Sequence, residues 1–254
     1  MSDKKYREVN GAYISQNDNR HVVLFSGGID STTTAAILKS QGKNPLLLFI
    51  DTGADDMDYS LEQAEKISNE MNLELIVSND LLNYCRRTAV GTNIYIPWRN
   101  LLFAIIGATY GKYVYIAGIK GDFSPDKTPE IFNLFREVIN KSAGPLENVE
   151  FLDSILWDKN KIEVAQTLAE LGYGHLIRDI LGCYHPVDGK HCGNCIACFR
   201  KYIMLKEIGE NTEGVFKKNP LEGEGGLAYA EMVRSGEWHE NIPLEIVKKY
   251  VKDK

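Results

Sequence analysis

The chain has 254 residues, enough for one large α/β domain with its own core, or one domain and a small appendage. Hydrophobic residues at 44% and charged residues at 25% exclude an extensively disordered chain, and no apolar run approaches the roughly 20 residues that cross a bilayer. A net charge of −6 argues against nucleic-acid binding as the main task, since that work needs a basic surplus or stripe.

Residues 1–20 are polar, lack the apolar stretch of a secretory signal and read as a loose lead-in, so a cytoplasmic location is expected, with no membrane partner. His21 to Phe25 is a continuous apolar run of strand length, as expected where both faces of a sheet are covered. Ser26-Gly27-Gly28 breaks it, a helix is predicted from Asp30 to Lys39, and Gly42 stops that helix. Leu46–Ile50 repeats the buried-strand pattern, followed by a helix over about Tyr59–Met71 and a strand over Leu73–Val77. Pro97 opens a helix running toward Tyr110, and Tyr113–Ala117 is a further buried strand ended by Gly118. Helices are then predicted at Glu130–Asn140, Ile162–Leu171 and Phe199 to about Ile208, with weaker patterns at Leu227–Arg234 and Leu244–Val251.

Strands alternating with helices predict an α/β fold, a doubly wound, Rossmann-like parallel sheet covered on both faces. The domain reading is a lead-in over 1–20, an α/β domain over 21–180, a cysteine-rich helical segment over 181–210, and a tail over 211–254 without assigned role. In such sheets ligands bind beyond the carboxyl ends of the strands, where the unusual loops of this sequence fall.

Phe25-Ser26-Gly27-Gly28-Ile29-Asp30-Ser31-Thr32 joins a buried strand to a helix. Two glycines let backbone N–H groups approach phosphate oxygens without a Cβ in the way. The helix N-terminus and the hydroxyls of Ser26, Ser31 and Thr32 add donors. Asp30 can cap the helix or hold magnesium on the phosphates. The pattern is neither a Walker A loop nor a dinucleotide fingerprint. It resembles the SGGxDS signature of the PP-loop ATP pyrophosphatases, which cleave ATP between the α and β phosphates and place AMP on a substrate oxygen.

Cys183, Cys192, Cys195 and Cys198 follow C-x8-C-x2-C-x2-C. Thiolates three residues apart on a tight turn converge on one metal, and four sulfurs close a tetrahedral zinc shell with no position left for water. The zinc is therefore expected to be structural, with an iron–sulfur cluster as the alternative for the same ligands. Gly193 lies where the knuckle needs a positive φ, and His185 and His191 are surplus, expected at the surface or behind the ligands. Cys85, alone, reads as a small buried hydrophobe.

The phosphate loop followed by this cysteine spacing resembles the 7-cyano-7-deazaguanine synthase (QueC) family, whose PP-loop sheet is adenine nucleotide alpha hydrolase-like. Ile96-Pro97-Trp98-Arg99-Asn100-Leu101-Leu102-Phe103 is similar to that family's PxRNxLF helix start, and Gly118 through Asp126 to its substrate loop. Trp157 to Glu163 resembles its W…KxE segment, and Cys183-Tyr184-His185-Pro186 its CYxx entry to the zinc loop. The resemblance implies an ATP-dependent carbon–nitrogen ligase acting on a deazaguanine-type carboxylate with ammonia, to give the amide and then the nitrile. Carried across, residues 25–32 hold ATP, Lys161 neutralises departing pyrophosphate, Arg99 and Asn100 orient phosphate or substrate, and Asp122 and Asp126 line the substrate loop. Asp30, Ser31, Arg99 and Lys161 are the catalytic set, and a homodimer is implied.

Two places depart from the family pattern. Asp51-Thr52-Gly53-Ala54-Asp55-Asp56 stands where a DYGQRH-like segment is usual, and the loop after Ser124 lacks the Gly-Tyr and Cys-Arg pairs. Both positions are expected to meet the substrate, which opens the alternative of a related enzyme with another acceptor. Phe49-Ile50-Asp51-Thr52-Gly53 also resembles an element of phosphoadenylylsulfate reductases. A tRNA-modifying PP-loop protein would need an electropositive face, and a non-catalytic nucleotide-binding zinc scaffold is the alternative of another class.

Overall fold

The computed structural model describes residues 6–9, 12–15, 19–53, 57–88, 96–122, 124–144, 148–180, 182–236 and 242–251, with the backbone alone at 6–9, 12–15 and 87–88. Two short strands, β1 (Tyr6–Val9) and β2 (Ala12–Ser15), pair antiparallel where the sequence reading assigned no element. The main sheet holds β3 (His21–Leu24), β4 (Leu46–Ile50), β5 (Leu75–Ser78), β6 (Tyr113–Tyr115) and β7 (Phe151–Asp153). Its order is β5-β4-β3-β6-β7, every pair parallel. The order reverses between β3 and β6, which opens a crevice at their carboxyl ends.

The apolar runs divide by alternation, because successive side chains on a strand point to opposite faces. Val22, Leu24, Leu46, Leu48 and Val114 enter one core, and Val23, Phe25, Leu47, Phe49 and Tyr115 the other. The first core is closed by α3 (Leu82–Thr88), α4 (Arg99–Ala108) and α5 (Pro129–Ser142). The second is closed by α1 (Ile29–Ser40), α2 (Met57–Glu70), α6 (Lys161–Leu168) and the carboxyl-terminal helices. A sheet covered on both faces has no use for polar alternation, which is why these strands read as unbroken apolar runs. Cys85 on α3 belongs to the first core, and burial pushes its thiol pKa up, as expected of a small buried hydrophobe.

The helix expected through Leu171 instead ends at Leu168. One wider π-type turn follows over Ala169–Tyr173, with Gly172 at φ 90, then α7 (Gly174–Asp179). α8 (Ile196–Glu207) begins three residues earlier than expected, because Cys195 itself serves as its extended N-cap residue. Lys201 of α8 is buried and donates to the carbonyls of Ile177 and Ile180 at the end of α7, which ties the cysteine segment to the α/β body. Burial pulls the pKa of this ammonium down to about 7, while the two carbonyls favour its charge.

The tail forms α9 (Glu224–Ser235) and α10 (Leu244–Lys248), and its structural role is plain: it clasps the cysteine knuckle. Gly225 N donates to Asn194 O at 2.8 Å, Glu224 N to Asn194 Oδ1 at 3.2 Å, and Lys217 N to His191 O at 2.9 Å. The backbones touch so closely that a Cβ on Gly225 would lie 2.5 Å from the Cys195 carbonyl carbon. Gly225→Ala is expected to lower the unfolding free energy by about 1–3 kcal/mol through overpacking against rigid main chain, checked by chemical denaturation.

Candidate active site and cysteine centre

The turn after β3 is built by glycine. Gly27 adopts φ +70, and a Cβ there would sit 3.1 Å from Ser60 O and 3.2 Å from Ala64 N of α2. Left-handed backbone and close approach together leave no other residue comfortable at this point. Gly28 is the extended N-cap of α1, and Thr32 N to Gly28 O is the first rung of its ladder. The amides of Ile29, Asp30 and Ser31 therefore precede the ladder, at the end of a helix where anions are favoured.

The hydroxyls behave differently from the expectation that they would donate outward. Ser31 Oγ donates to Gly28 O at 3.1 Å and Thr32 Oγ1 to the same carbonyl at 2.8 Å, bracing the first turn. Ser26 Oγ lies 3.3 Å from Ser31 Oγ and from Gly28 N. Asp30 does not cap α1, since Gly28 holds that position; its carboxylate receives Lys161 Nζ at 2.7 and 2.8 Å.

Lys161 is the first residue of α6 and is held by a full capping box. Asn160 Oδ1 accepts from Ile162 N at 2.9 Å and Glu163 N at 3.1 Å, while Glu163 Oε2 accepts from Asn160 N at 2.7 Å. The pair Lys161–Asp30 is about four-fifths shielded on both sides, so a fixed cation stands beside the amides of the loop. Asn160→Ala is expected to cost about 1–2 kcal/mol of stability by thermal melting, and to loosen Lys161 from Asp30.

On the opposite side of the crevice, Trp98 holds a left-handed backbone at φ 57 and leaves its indole 67% exposed. That turn starts α4 with Arg99 exposed and Asn100 buried, both on the cleft wall. The cleft, about 420 Å³, is lined by Phe25, Ser26, Gly28, Asp30 and Ser31 from the loop, and by Arg99 and Asn100. Phe103, Ile116 and Phe49 supply apolar wall. Gly27, Ile29 and Thr32 lie behind this surface, shaping it from below, and Lys161 reaches it through Asp30.

Asp122 and Asp126 are not among the lining residues. Asp122 Oδ2 accepts from Ile119 N at 3.1 Å and pairs with Lys127 Nζ at 2.7 Å, and Asp126 is bonded by Ser124 within its own loop. Lys127 and Thr52, from the two segments expected to meet the substrate, line the cleft, as do Met57 and Ser60 of α2, which the sequence reading did not single out. Their shared signal is topological: each belongs to the loop or helix that follows β4 or β6. Phe123 and residues 54–56 lie outside the described residues.

The four cysteine sulfurs lie within 4.8 Å of one another. Neighbouring pairs stand at 3.5 Å (Cys195–Cys198 and Cys183–Cys198), 3.7 Å (Cys192–Cys198) and 4.0 Å (Cys183–Cys195). A tetrahedral zinc with sulfur at about 2.3 Å places its ligands about 3.8 Å apart, so the donor set fits. Amides point at the sulfurs: His185 N and Cys192 N to Cys183, Gly193 N to Cys198, Asn194 N to Cys192. Such donors stabilise thiolates. The hydrogen bonds from Cys183 and then Cys198 pull the Cys195 thiol far down, whereas contact with the other sulfurs pushes Cys198 up. Four anions cannot share this space without a cation.

Gly193, at φ +75, would put a Cβ 2.0 Å from Lys218 O, so its glycine is required twice over. His185 is exposed as expected, while His191 is buried against Phe216 with ring centroids 5.4 Å apart. Burial, then Lys201, draws the His191 pKa down to about 4, and the ring stands outside the group of four sulfurs. Metal analysis of the purified chain is expected to find one zinc per chain without iron–sulfur absorbance. Cys195→Ser should lose the metal and the protease resistance of the knuckle and tail.

A parallel sheet with a glycine turn at its topological switch point, followed by a four-cysteine knuckle, defines a PP-loop-type α/β protein with a cysteine cluster that could hold a metal ion. The family model described as "Queuosine biosynthesis protein QueC" matches residues 20–209, and the chain belongs to that family. It is 27% identical over 257 residues to a 7-cyano-7-deazaguanine synthase of Leptospira interrogans, covering 85% of this chain and 98% of that protein. It is 29% identical over 226 residues to the synthase of that name from Staphylococcus epidermidis, covering 78% and 98%. Among solved structures, a predicted subunit of tRNA methyltransferase from Methanocaldococcus jannaschii superposes with a TM-score of 0.47 at 20% identity, over 59% of this chain and 74% of that one. No helix among the described residues is long and apolar enough to cross a membrane.

Proposed function

We propose that the chain is an ATP-dependent carbon–nitrogen ligase that converts 7-carboxy-7-deazaguanine and ammonia to the nitrile through the amide, releasing AMP and pyrophosphate. The observation that carries this reading is the convergence of the glycine loop with Arg99 and Asn100 on one cleft at the switch point of the sheet. Family membership and the relatives named as 7-cyano-7-deazaguanine synthases support the choice of substrate.

In this reading the loop amides and the start of α1 hold the phosphates. A carboxylate oxygen of the substrate bonds to the α-phosphorus, and the bond from that phosphorus to the bridging oxygen breaks, its electron pair leaving with pyrophosphate. Lys161 offsets the charge of the departing group. Ammonia then displaces AMP at the acyl carbon, giving the amide after loss of a proton. The amide oxygen then bonds to the α-phosphorus of a second ATP as a second pyrophosphate leaves. Breaking the carbon–oxygen bond, with AMP as leaving group, and loss of the two N–H protons give the nitrile. Displacement at phosphorus needs alignment and charge neutralisation more than covalent help, and those are what this cleft supplies. Magnesium would accompany the phosphates and add positive charge there, and Asp30 is the carboxylate of the loop that would hold it. A zinc held by Cys183, Cys192, Cys195 and Cys198 would serve the fold and not the reaction, since four sulfurs leave no open position.

Thr52 and Lys127 line the cleft and belong to the two segments that depart from the family pattern, which favours a second reading with another acceptor acid. Zinc-loaded protein incubated with ATP, 7-carboxy-7-deazaguanine and ammonium is expected to yield AMP, pyrophosphate and the nitrile by mass spectrometry. Lys161→Ala should lower kcat about 100-fold or more. AMP and pyrophosphate released only with a different acid would establish the second reading. ATP binding without AMP formation for any acid offered would mark a non-catalytic module instead.

A further inference from the structure

The loop after β6 carries two carboxylates, Asp122 and Asp126, and two amines, Lys120 and Lys127, and of these four only Lys127 reaches the cleft. Asp122 is tied down by the Ile119 amide and holds Lys127 Nζ at 2.7 Å, with side-chain exposures of 17% and 22%. The pair is thus mostly withdrawn from water. It fixes a long, flexible side chain at one spot on the wall. Asp126 is occupied with Ser124 and contributes to the bend of the loop.

The charges of the cleft divide between its two sides. On the β3 side the loop amides and the start of α1 provide positive potential, and Lys161 stands against Asp30. On the β6 side, α4 and the Lys127 loop add Arg99 and Lys127, and no carboxylate among the described lining residues faces them from that side. β3 and β6 are adjacent and parallel, so their two loops flank a single crevice. An anion that is not the triphosphate has its cations waiting opposite the phosphate loop.

We propose that Lys127, positioned by Asp122, is the cation that receives the carboxylate of the acceptor substrate. The assignment rests on the adenylylating reading above and names the group that makes it specific for an acid. A carboxylate approaching an α-phosphate is one anion approaching another, and against the apolar wall of Phe49, Phe103 and Ile116 that repulsion is screened less than in bulk water. An ammonium on the attack side offsets it. Lys127 can keep Asp122 as partner and still offer a further N–H, because an ammonium carries three donors. When the carboxylate oxygen bonds to phosphorus and pyrophosphate leaves, no proton moves and Lys127 stays charged. The acyl-adenylate has lost the carboxylate charge, so the grip on that group relaxes as ammonia arrives.

The test compares 7-carboxy-7-deazaguanine with its neutral amide, by calorimetry on the full zinc-loaded chain with a non-hydrolysable ATP analogue, and by steady-state kinetics with ATP. Lys127→Met is expected to weaken the acid about 10- to 100-fold, with the amide and the KM for ATP nearly unchanged. Lys127→Arg should recover most of the loss, and Asp122→Asn should raise the KM for the acid severalfold with a smaller change in kcat. Thermal melting of each variant within a few degrees of wild type confirms the fold, and Asp122→Asn and Lys127→Arg carry the test where Lys127→Met fails to fold. Equal losses for acid and amide would overturn the proposal by making Lys127 a purely structural residue. A loss confined to ATP would overturn it by making Lys127 a phosphate ligand. Wild-type protein that binds neither acid nor amide removes the adenylylating reading on this substrate and the assignment with it. An active wild type matched by an unimpaired Lys127→Met overturns the assignment alone.

Discussion

Everything at the carboxyl edge of this sheet depends on one close approach, that of Gly27 to the backbone of α2. With φ +70 and Ser60 O at 3.1 Å from where a Cβ would stand, the chain leaves a strand buried on both faces and enters a helix across the four residues 25–28. A side chain at that point would push α2 away or shift the start of α1. Either displacement would move the amides of Ile29 to Ser31, the carboxylate of Asp30 and, through it, Lys161. The strand order then determines what faces this turn: β6 lies beside β3, so α4 and the Lys127 loop arrive on the other side.

The second fixed point is the cysteine knuckle, and it is joined to the first through buried polar contacts. Lys201 of α8 reaches the carbonyls that end α7, and α7 follows α6, which carries Lys161. The tail closes over the knuckle by main-chain contact at Gly225 and Asn194. A metal held by the four thiolates would organise a segment too small to have a core of its own, and would act on the cleft through this packing.

Much of this was legible in the sequence, for identifiable reasons. His21–Leu24 and Leu46–Ile50 are apolar throughout because both faces are covered, and Ser26-Gly27-Gly28 between strand and helix has few structural meanings. The cysteines declare their convergence by spacing alone. What escaped was short or made of backbone. β7 has three residues, Phe151–Asp153, too few for a period to show, and α3 over Leu82–Thr88 is a seven-residue helix, too short for a clear period, that brings Tyr84 and Cys85 to the core. The clasp of the tail is carbonyl against glycine, invisible to any reading of side-chain pattern. In the loop after β6 the acids drew attention, yet they turn inward to shape the loop while Lys127 faces the cleft.

The central claim is that a carboxylate oxygen of the substrate attacks the α-phosphorus of ATP in this cleft. Substrate labelled with ¹⁸O in its carboxylate, turned over with ATP and ammonium and read by mass spectrometry of the nucleotide, tests it directly. The account predicts that AMP acquires one labelled oxygen. Label found in inorganic phosphate, with ADP as the nucleotide product, would contradict it, as would AMP formed without label.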